Sequence, residues 1–142
     1  MNKYISIQDA EFDNNPLFIL CAPHATGKTV ALFNYISSFN LPCDYLYMQS
    51  AYKNNLTNYM KNLCKSGAIK DYPMIHFVQF TRDGSIISGK KIFNRLIIEL
   101  DSIVYIDDLK TIIHKAFNTY IYYQVILIGT PEKFRELILN DN

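Results

Sequence analysis

The sequence has no apolar run approaching the ~18 residues that cross a bilayer, and Met1-Asn2-Lys3-Tyr4-Ile5-Ser6 lacks the apolar core of a secretion signal. No membrane partner is expected, and a cytoplasmic location is. Strong charge of either sign is also missing, with 14 Lys and Arg against 13 Asp and Glu and a formal net charge of +1. That excludes the global basic field of an all-purpose nucleic-acid binder, so any polyanion contact must be local. Cysteine is scarce and odd in number. Cys21, Cys43 and Cys64 lack the short paired spacing of a zinc site or redox dithiol and read as reduced packing residues of an intracellular protein. No repeat, low-complexity tract or Pro/Gly linker interrupts the chain. Residues 1–142 therefore read as a single domain, large enough to bury roughly two-thirds of its unfolded surface.

What is there alternates. Leu17 to Cys21 is a short apolar run of the buried parallel-strand type, and a glycine-containing loop follows it. Next comes a helix with Leu32, Tyr35, Ile36 and Phe39 on one face, stopped at Leu41-Pro42. Asp44 to Met48 predicts a strand, and Tyr52, Leu56, Tyr59, Met60 and Leu63 share a face of the helix after it. Met74 to Phe80 predicts another strand, and the turn chemistry of Arg82-Asp83-Gly84-Ser85 before Ile86-Ile87 predicts a β-hairpin insertion that makes the sheet partly mixed. A helix is expected over Ile92 to Leu100, then a strand over Ser102 to Ile106 ending on Asp107 and Asp108. Leu109 to Tyr120 carries helical periodicity, Gln124 to Ile128 a buried strand, Gly129-Thr130-Pro131 a turn, and Phe134, Leu137 and Ile138 a last helix. Strands alternating with helices predict an α/β sheet covered on both faces, with ligands at the carboxyl ends of its strands.

One segment carries specific chemistry. Ala22-Pro23-His24-Ala25-Thr26-Gly27-Lys28-Thr29, running into Val30, fits a phosphate-binding loop placed between strand and helix. In that reading Gly27 lets the backbone close in on phosphate, Lys28 sets its ammonium on the β- and γ-phosphates, and the Thr29 hydroxyl helps hold Mg²⁺. ATP with Mg²⁺ is the expected cofactor pair, against the bland reading of a Gly-Lys-Thr helix start. Asp107, at the end of the expected strand, is the candidate metal partner beside Thr29. Asp108 is either the acid that polarises the attacking water or an N-cap for the next helix. Asp101 reads as a solvated cap. Thr130 is either a γ-phosphate sensor or part of a turn into the last helix, where Pro131 suits the first helical position. His24 either approaches the phosphates or is an exposed loop residue, while His76 and His114 read as structural or surface residues. The arginines are Arg82, Arg95 and Arg135; Arg135 is a candidate finger for a neighbouring subunit, or a solvated helix position.

Taken in order, these motifs resemble the ATPase domain of viral large terminases, the motors that package DNA. The likeness spans about Pro16 to Leu137 and rests on the Ala22–Thr29 loop, Tyr45-Leu46-Tyr47-Met48-Gln49-Ser50, the Asp83–Ile87 hairpin, Ile103–Asp108 and Ile126–Pro131. It implies a three-layer P-loop NTPase sandwich with a mainly parallel sheet, hydrolysis of Mg·ATP by Lys28, Asp108 and Thr130, and coupling through Gly129 and Thr130. It also implies double-stranded DNA as partner, with a homo-oligomeric ring or an additional motor or nuclease domain. Two residues depart from that family: Asp108 stands where Glu is usual, and His24 where Arg is frequent. No nuclease segment is present, and the strand such sheets gain after the last helix is missing before Asn142, so the chain is expected to be a fragment or to be completed by a partner. Asn15 to Ile19, Tyr45 to Met48 and Ile106 to Leu109 also resemble AAA+ replication initiators and helicase loaders, in which an Asp-Asp pair is acceptable, although no helical lid follows. A nucleotide-binding switch with little turnover is the reading outside the motor class.

Overall fold

The structure, a computed structural model, describes residues 16–139, so Met1 to Ser6, Asn15 and Asn142 lie outside the described residues. The elements run β1 (Leu17–Cys21), α1 (Lys28–Ile36), β2 (Cys43–Tyr47), α2 (Ser50–Ser66), β3 (Ile75–Gln79) and β4 (Ile92–Glu99). A 3-10 turn (Leu100–Ser102), α3 (Ile106–Asn118), β5 (Ile121–Gly129) and α4 (Pro131–Leu139) complete them. The five strands form one sheet in the order β1-β5-β4-β2-β3, and every strand pairing is parallel.

Alternation along the strands divides the core in two. Leu46, Leu96, Ile98, Val125 and Leu127 meet Leu109, Ile112 and Ala116 of α3, with Phe134 and Leu137 of α4 packed alongside. Tyr45, Ile97, Ile126 and Ile128 point the other way, onto Leu32, Phe33 and Ile36 of α1 and Leu56, Met60 and Leu63 of α2. The chain is thus an α/β sandwich of three layers. Its winding explains which helix covers which face. From β1 through β2 to β3 the chain steps one way across the sheet, and from β4 to β5 it steps back; right-handed crossovers then place α1 and α2 on one face and α3 on the other. Where neighbouring strands send their helices to opposite faces, the carboxyl edge opens into a crevice. This occurs between β1 and β5 and again between β4 and β2.

Two sequence expectations need correction. Ile92 to Leu100 is not a helix: Ile92–Glu99 is the central strand, between β5 and β2. Phe93, Leu96, Ile97 and Leu100 have helical spacing, but Leu96, Ile97 and Ile98 are all at most 1% exposed and pack into both cores. A strand covered on both sides reads as a continuous apolar run, which periodicity alone does not distinguish from a buried helix. Nor is Ser102 to Ile106 a strand. Leu100–Ser102 is a 3-10 turn, Val104 and Tyr105 are 70% and 60% exposed, and Ile106 already begins α3.

The turn at Arg82 to Ser85 forms, with the Gly84 N–H donating to Thr81 O and Thr81 N–H to Ser85 O, both at 2.9 Å. Its antiparallel part is one bridge, Phe80 to Ile86, so the sheet stays parallel. The Gly89 N–H bonds back to Ile86 O at 2.9 Å and turns the chain away before a second strand can extend. Among the described residues no helix is long and apolar enough to cross a membrane.

Candidate nucleotide site

The loop after β1 lies at the β1/β5 crevice, where the Ala22 N–H donates to Gly129 O at 3.2 Å. Gly27 has φ 87° at the N-cap of α1, and Ala25 has φ 62°. The left-handed conformation comes freely to glycine and is uncommon for alanine. The loop closes on itself through the Thr26 hydroxyl, which donates to Pro23 O at 2.7 Å. Pro23, His24, Ala25, Thr26 and Gly27 are exposed, whereas Thr29 and Val30 are partly buried where α1 begins.

Lys28 is the unusual residue here. It is 8% exposed, yet among the described residues it forms no ion pair, and its ammonium has a single long bond, 3.5 Å to Pro23 O. A lysine this buried whose ammonium has one weak carbonyl contact has room for a further partner to its charge, and an anion at the head of α1 would supply it. The donor set of Lys28, Thr29 and the start of α1 therefore fits a phosphate chain and its divalent cation. Among the described residues no group of three or more His, Cys, Asp or Glu side chains gathers into a metal cluster of its own.

Among the acids within electrostatic reach of this loop, Glu99 acts with Lys28 and His24, and Glu132 and Asp101 act on Cys21 at its start. Glu99 ends β4 and Asp101 sits in the turn after it. Burial pushes the Glu99 carboxyl above its ordinary range; the Tyr45 hydroxyl opposes this, nearby Asp101 adds to it, and the positive charges of Lys28 and His24 pull it back. Glu99 thus lies within the electrostatic reach of the loop. The Tyr45 hydroxyl donates to Glu99 Oε2 at 2.9 Å. Asp101 binds across to β5, taking the Thr130 N–H on Oδ2 at 2.9 Å and the Thr130 hydroxyl on Oδ1 at 2.8 Å. Thr130, 3% exposed, also caps α4, its Oγ1 accepting the Lys133 N–H at 3.4 Å with Pro131 at the first helical position.

Asp107 and Asp108 stand elsewhere. Without the expected strand they fall in the first turn of α3, where acids complement the helix N-terminus. Asp107 is exposed. Asp108 is buried and takes the Arg82 Nε on both oxygens, at 3.3 and 3.2 Å; the N-cap is Tyr105. The pair lies at the β4/β2 crevice, beside a cavity of about 250 Å³ lined by Met48, Gln49, Arg82, Ser102, Tyr105 and Asp108 among others.

The structure therefore brings together Lys28, Thr29 and Thr130 from the expected set and adds Glu99 and Asp101. The missed signal was Leu96-Ile97-Ile98-Glu99, an apolar run closed by a carboxylate, the same pattern sought seven residues later. The arginines stand apart from the loop or point outward: Arg82 on Asp108, Arg95 with its Nε 3.2 Å from Gln124 and its guanidinium over Phe39, and Arg135 exposed on α4. His24 and His76 are exposed, and so is His114, whose ring nitrogen lies 3.2 Å from Asn118 Nδ2. Comparison with protein-family models, curated proteins and solved structures finds no significant match.

Proposed function

We propose that this chain is a P-loop ATPase domain that hydrolyses Mg·ATP at the β1/β5 crevice and acts on nucleic acid in the manner of a DNA-packaging motor. The observation that carries the hydrolytic part is the buried Lys28 residue, whose ammonium lacks an ion pair among the described residues, at the head of α1 and within electrostatic reach of the Glu99 carboxyl. Lys28 and the first backbone N–H groups of α1 bind the phosphate chain, and the Thr29 hydroxyl is the cation's side-chain ligand. Bound Mg²⁺ supplies neutralisation of charge on the terminal phosphate.

Glu99 takes the place first assigned to Asp108. Water oxygen bonds to the γ-phosphorus, the bond from phosphorus to the bridging oxygen breaks with its electron pair leaving on ADP, and Glu99 accepts the water proton. A carboxyl raised by burial is the better base for this task, because its proton affinity moves toward the working pH. Asp101 fixes Thr130 at the edge of the site. The nucleic-acid part of the reading rests on the terminase-like order of the loop, the β2 segment and Ile126–Pro131. The Ile103–Asp108 segment no longer contributes an acid strand to that likeness.

A switch with little turnover is the second reading, and the placement of the arginines favours it, since none among the described residues contacts the loop. An arginine from a second subunit restores the motor reading. The test is Mg·ATP binding and hydrolysis by the wild type, Lys28→Ala, Glu99→Gln and Asp108→Asn, with and without double-stranded DNA. Lys28→Ala is expected to weaken ATP binding by about 10- to 100-fold, the worth of a charge-assisted bond. Glu99→Gln is expected to bind ATP and lose turnover, and Asp108→Asn to stay within a few-fold of wild type. Full turnover by Glu99→Gln would remove the mechanism; binding without turnover in the wild type under every condition would leave the switch.

A further inference from the structure

Among the described residues no backbone N–H holds the Glu99 carboxyl. Among the described residues its hydrogen-bond donor is the Tyr45 hydroxyl, 2.9 Å from Oε2. Tyr45 is on β2, next to β4, and is 0% exposed. Its ring is wedged between Phe77 of β3, at 6.0 Å between centroids, and Tyr52 in the first turn of α2, at 6.5 Å. Full burial among these rings restrains the hydroxyl, because a tyrosine has only two torsions. The Tyr52 hydroxyl lies 3.3 Å from that of Tyr45. Tyr45 has one proton, and a carboxylate is a stronger acceptor than a phenol. The consistent arrangement has Tyr52 donating to Tyr45 and Tyr45 donating to Glu99, each bond polarising the next.

A buried tyrosine needs some partner for its hydroxyl, and a backbone carbonyl would serve a purely structural one. Here the partner is the acid at the edge of the candidate site. A glutamate side chain has three torsions, and fixing one carboxylate oxygen settles where the other points. We propose that Tyr45, backed by Tyr52, is the positioning residue for Glu99: it pins Oε2 against the sheet and leaves Oε1 as the oxygen that takes the proton of the attacking water. This rests on the reading of Glu99 given above. The groups facing the Glu99 carboxyl are then Tyr45 from β2, Asp101 from the following turn, Lys28 from α1 and His24 from the loop. Tyr45 and Tyr52 bind neither phosphate nor cation in this assignment, so their loss acts on the chemical step and not on nucleotide affinity.

The test is a double-mutant cycle in steady-state Mg·ATP hydrolysis, with ATP dissociation constants measured alongside, on wild type, Tyr45→Phe, Tyr52→Phe, Glu99→Gln and Glu99→Gln/Tyr45→Phe. Phenylalanine keeps the ring and removes the hydroxyl, and thermal melts establish that each variant is folded. Tyr45→Phe is expected to lower kcat by about tenfold or more, the worth of a hydrogen bond to a charged group, with KM and ATP affinity within about twofold of wild type. Tyr52→Phe, one bond removed, is expected to lower kcat by less. In the Glu99→Gln background Tyr45→Phe is expected to lower the residual rate no further, because the hydroxyl acts through the acid. If Glu99→Gln abolishes turnover while Tyr45→Phe leaves kcat intact, lowers it equally in both backgrounds or mainly raises KM, the positioning role is overturned and the reading of Glu99 stands. If Glu99→Gln leaves turnover intact, both fall together.

Discussion

Replacing Asp101 tests how the carboxyl edge of the sheet is held together. The Asp101 carboxylate receives two bonds from Thr130, 2.9 Å from the N–H and 2.8 Å from the hydroxyl, and Thr130 is 3% exposed. Asp101→Ala leaves two buried donors without their acceptor, each costing about 1–3 kcal/mol and together about 2–6 kcal/mol. At about 3 °C per kcal/mol for a domain near this size, the melting temperature falls by about 6–18 °C. Asp101→Asn separates hydrogen bonding from charge. Its amide oxygen still accepts the Thr130 N–H, and its amide nitrogen donates to Thr130 Oγ1, which as a hydroxyl also accepts. The expected cost is then about 1 kcal/mol, the difference between charged and neutral bonds. Urea unfolding at pH 7 followed by circular dichroism measures both, with an unchanged denaturant slope as the check that the unfolded state is the same. Asp101→Ala within about 0.5 kcal/mol of wild type would show that the bridge contributes nothing net. Asp101→Asn as costly as Asp101→Ala would show that charge matters and the count of bonds does not.

Two further outcomes follow from the same edge. Burial raises the folded-state pKa of Glu99, so the folded chain holds that proton more tightly than the unfolded one; the associated stability is full at acid pH and is lost as pH rises through the raised value. Glu99→Gln is therefore expected to melt higher than wild type at pH 7, with the gain vanishing below about pH 4, where the unfolded glutamate is protonated too; a gain that persists there would assign the effect to packing. Gly129→Ala is expected to destabilise by about 1–3 kcal/mol, because its Cβ would lie 3.1 Å from the Leu100 Cβ and 3.4 Å from Asp101 Oδ2. Differential scanning calorimetry reads both, and an unperturbed Gly129→Ala would mean that the turn after β4 yields more easily than its packing implies.

The loop, its strand and its helix were legible because the signal is local: an apolar run, a glycine that adopts a left-handed conformation, and a lysine at the start of an amphipathic helix. The same holds for β2 and β5, read as short buried apolar runs, and for α2 and α3, read from apolar faces at helical spacing, although Tyr59 of the α2 face is 45% exposed. The acid strand was not legible, for a physical reason. Leu96-Ile97-Ile98-Glu99 and Ile103-Val104-Tyr105-Ile106-Asp107 are both apolar runs ending on a carboxylate, and only position in the sheet separates them. The first is covered on two faces, while Val104 and Tyr105 in the second are solvent-facing and lead straight into α3. From sequence alone Asp101 reads as a solvated cap, because its partner, Thr130, is 29 residues away and adjacent only through the β4–β5 pairing. Tyr45 gave no sign of a role at Glu99, since a tyrosine in a buried strand is ordinary until its hydroxyl is found on an acid.

Strand order turns these separate residues into one site. β5 lies between β1 and β4, so the loop and Glu99 emerge two strand spacings apart, about 9.5 Å. In the proposed ATPase, that spacing holds the terminal phosphate and a water between lysine and acid. The intervening strand contributes its own end to the gap: Gly129, whose missing side chain lets the turn after β4 approach, and Thr130, tied to that turn by Asp101. Lys28 and Glu99 therefore face each other across a floor that the protein has already fixed. In the proposed hydrolysis, such a floor is the condition under which a charge placed for the transition state costs no reorganisation.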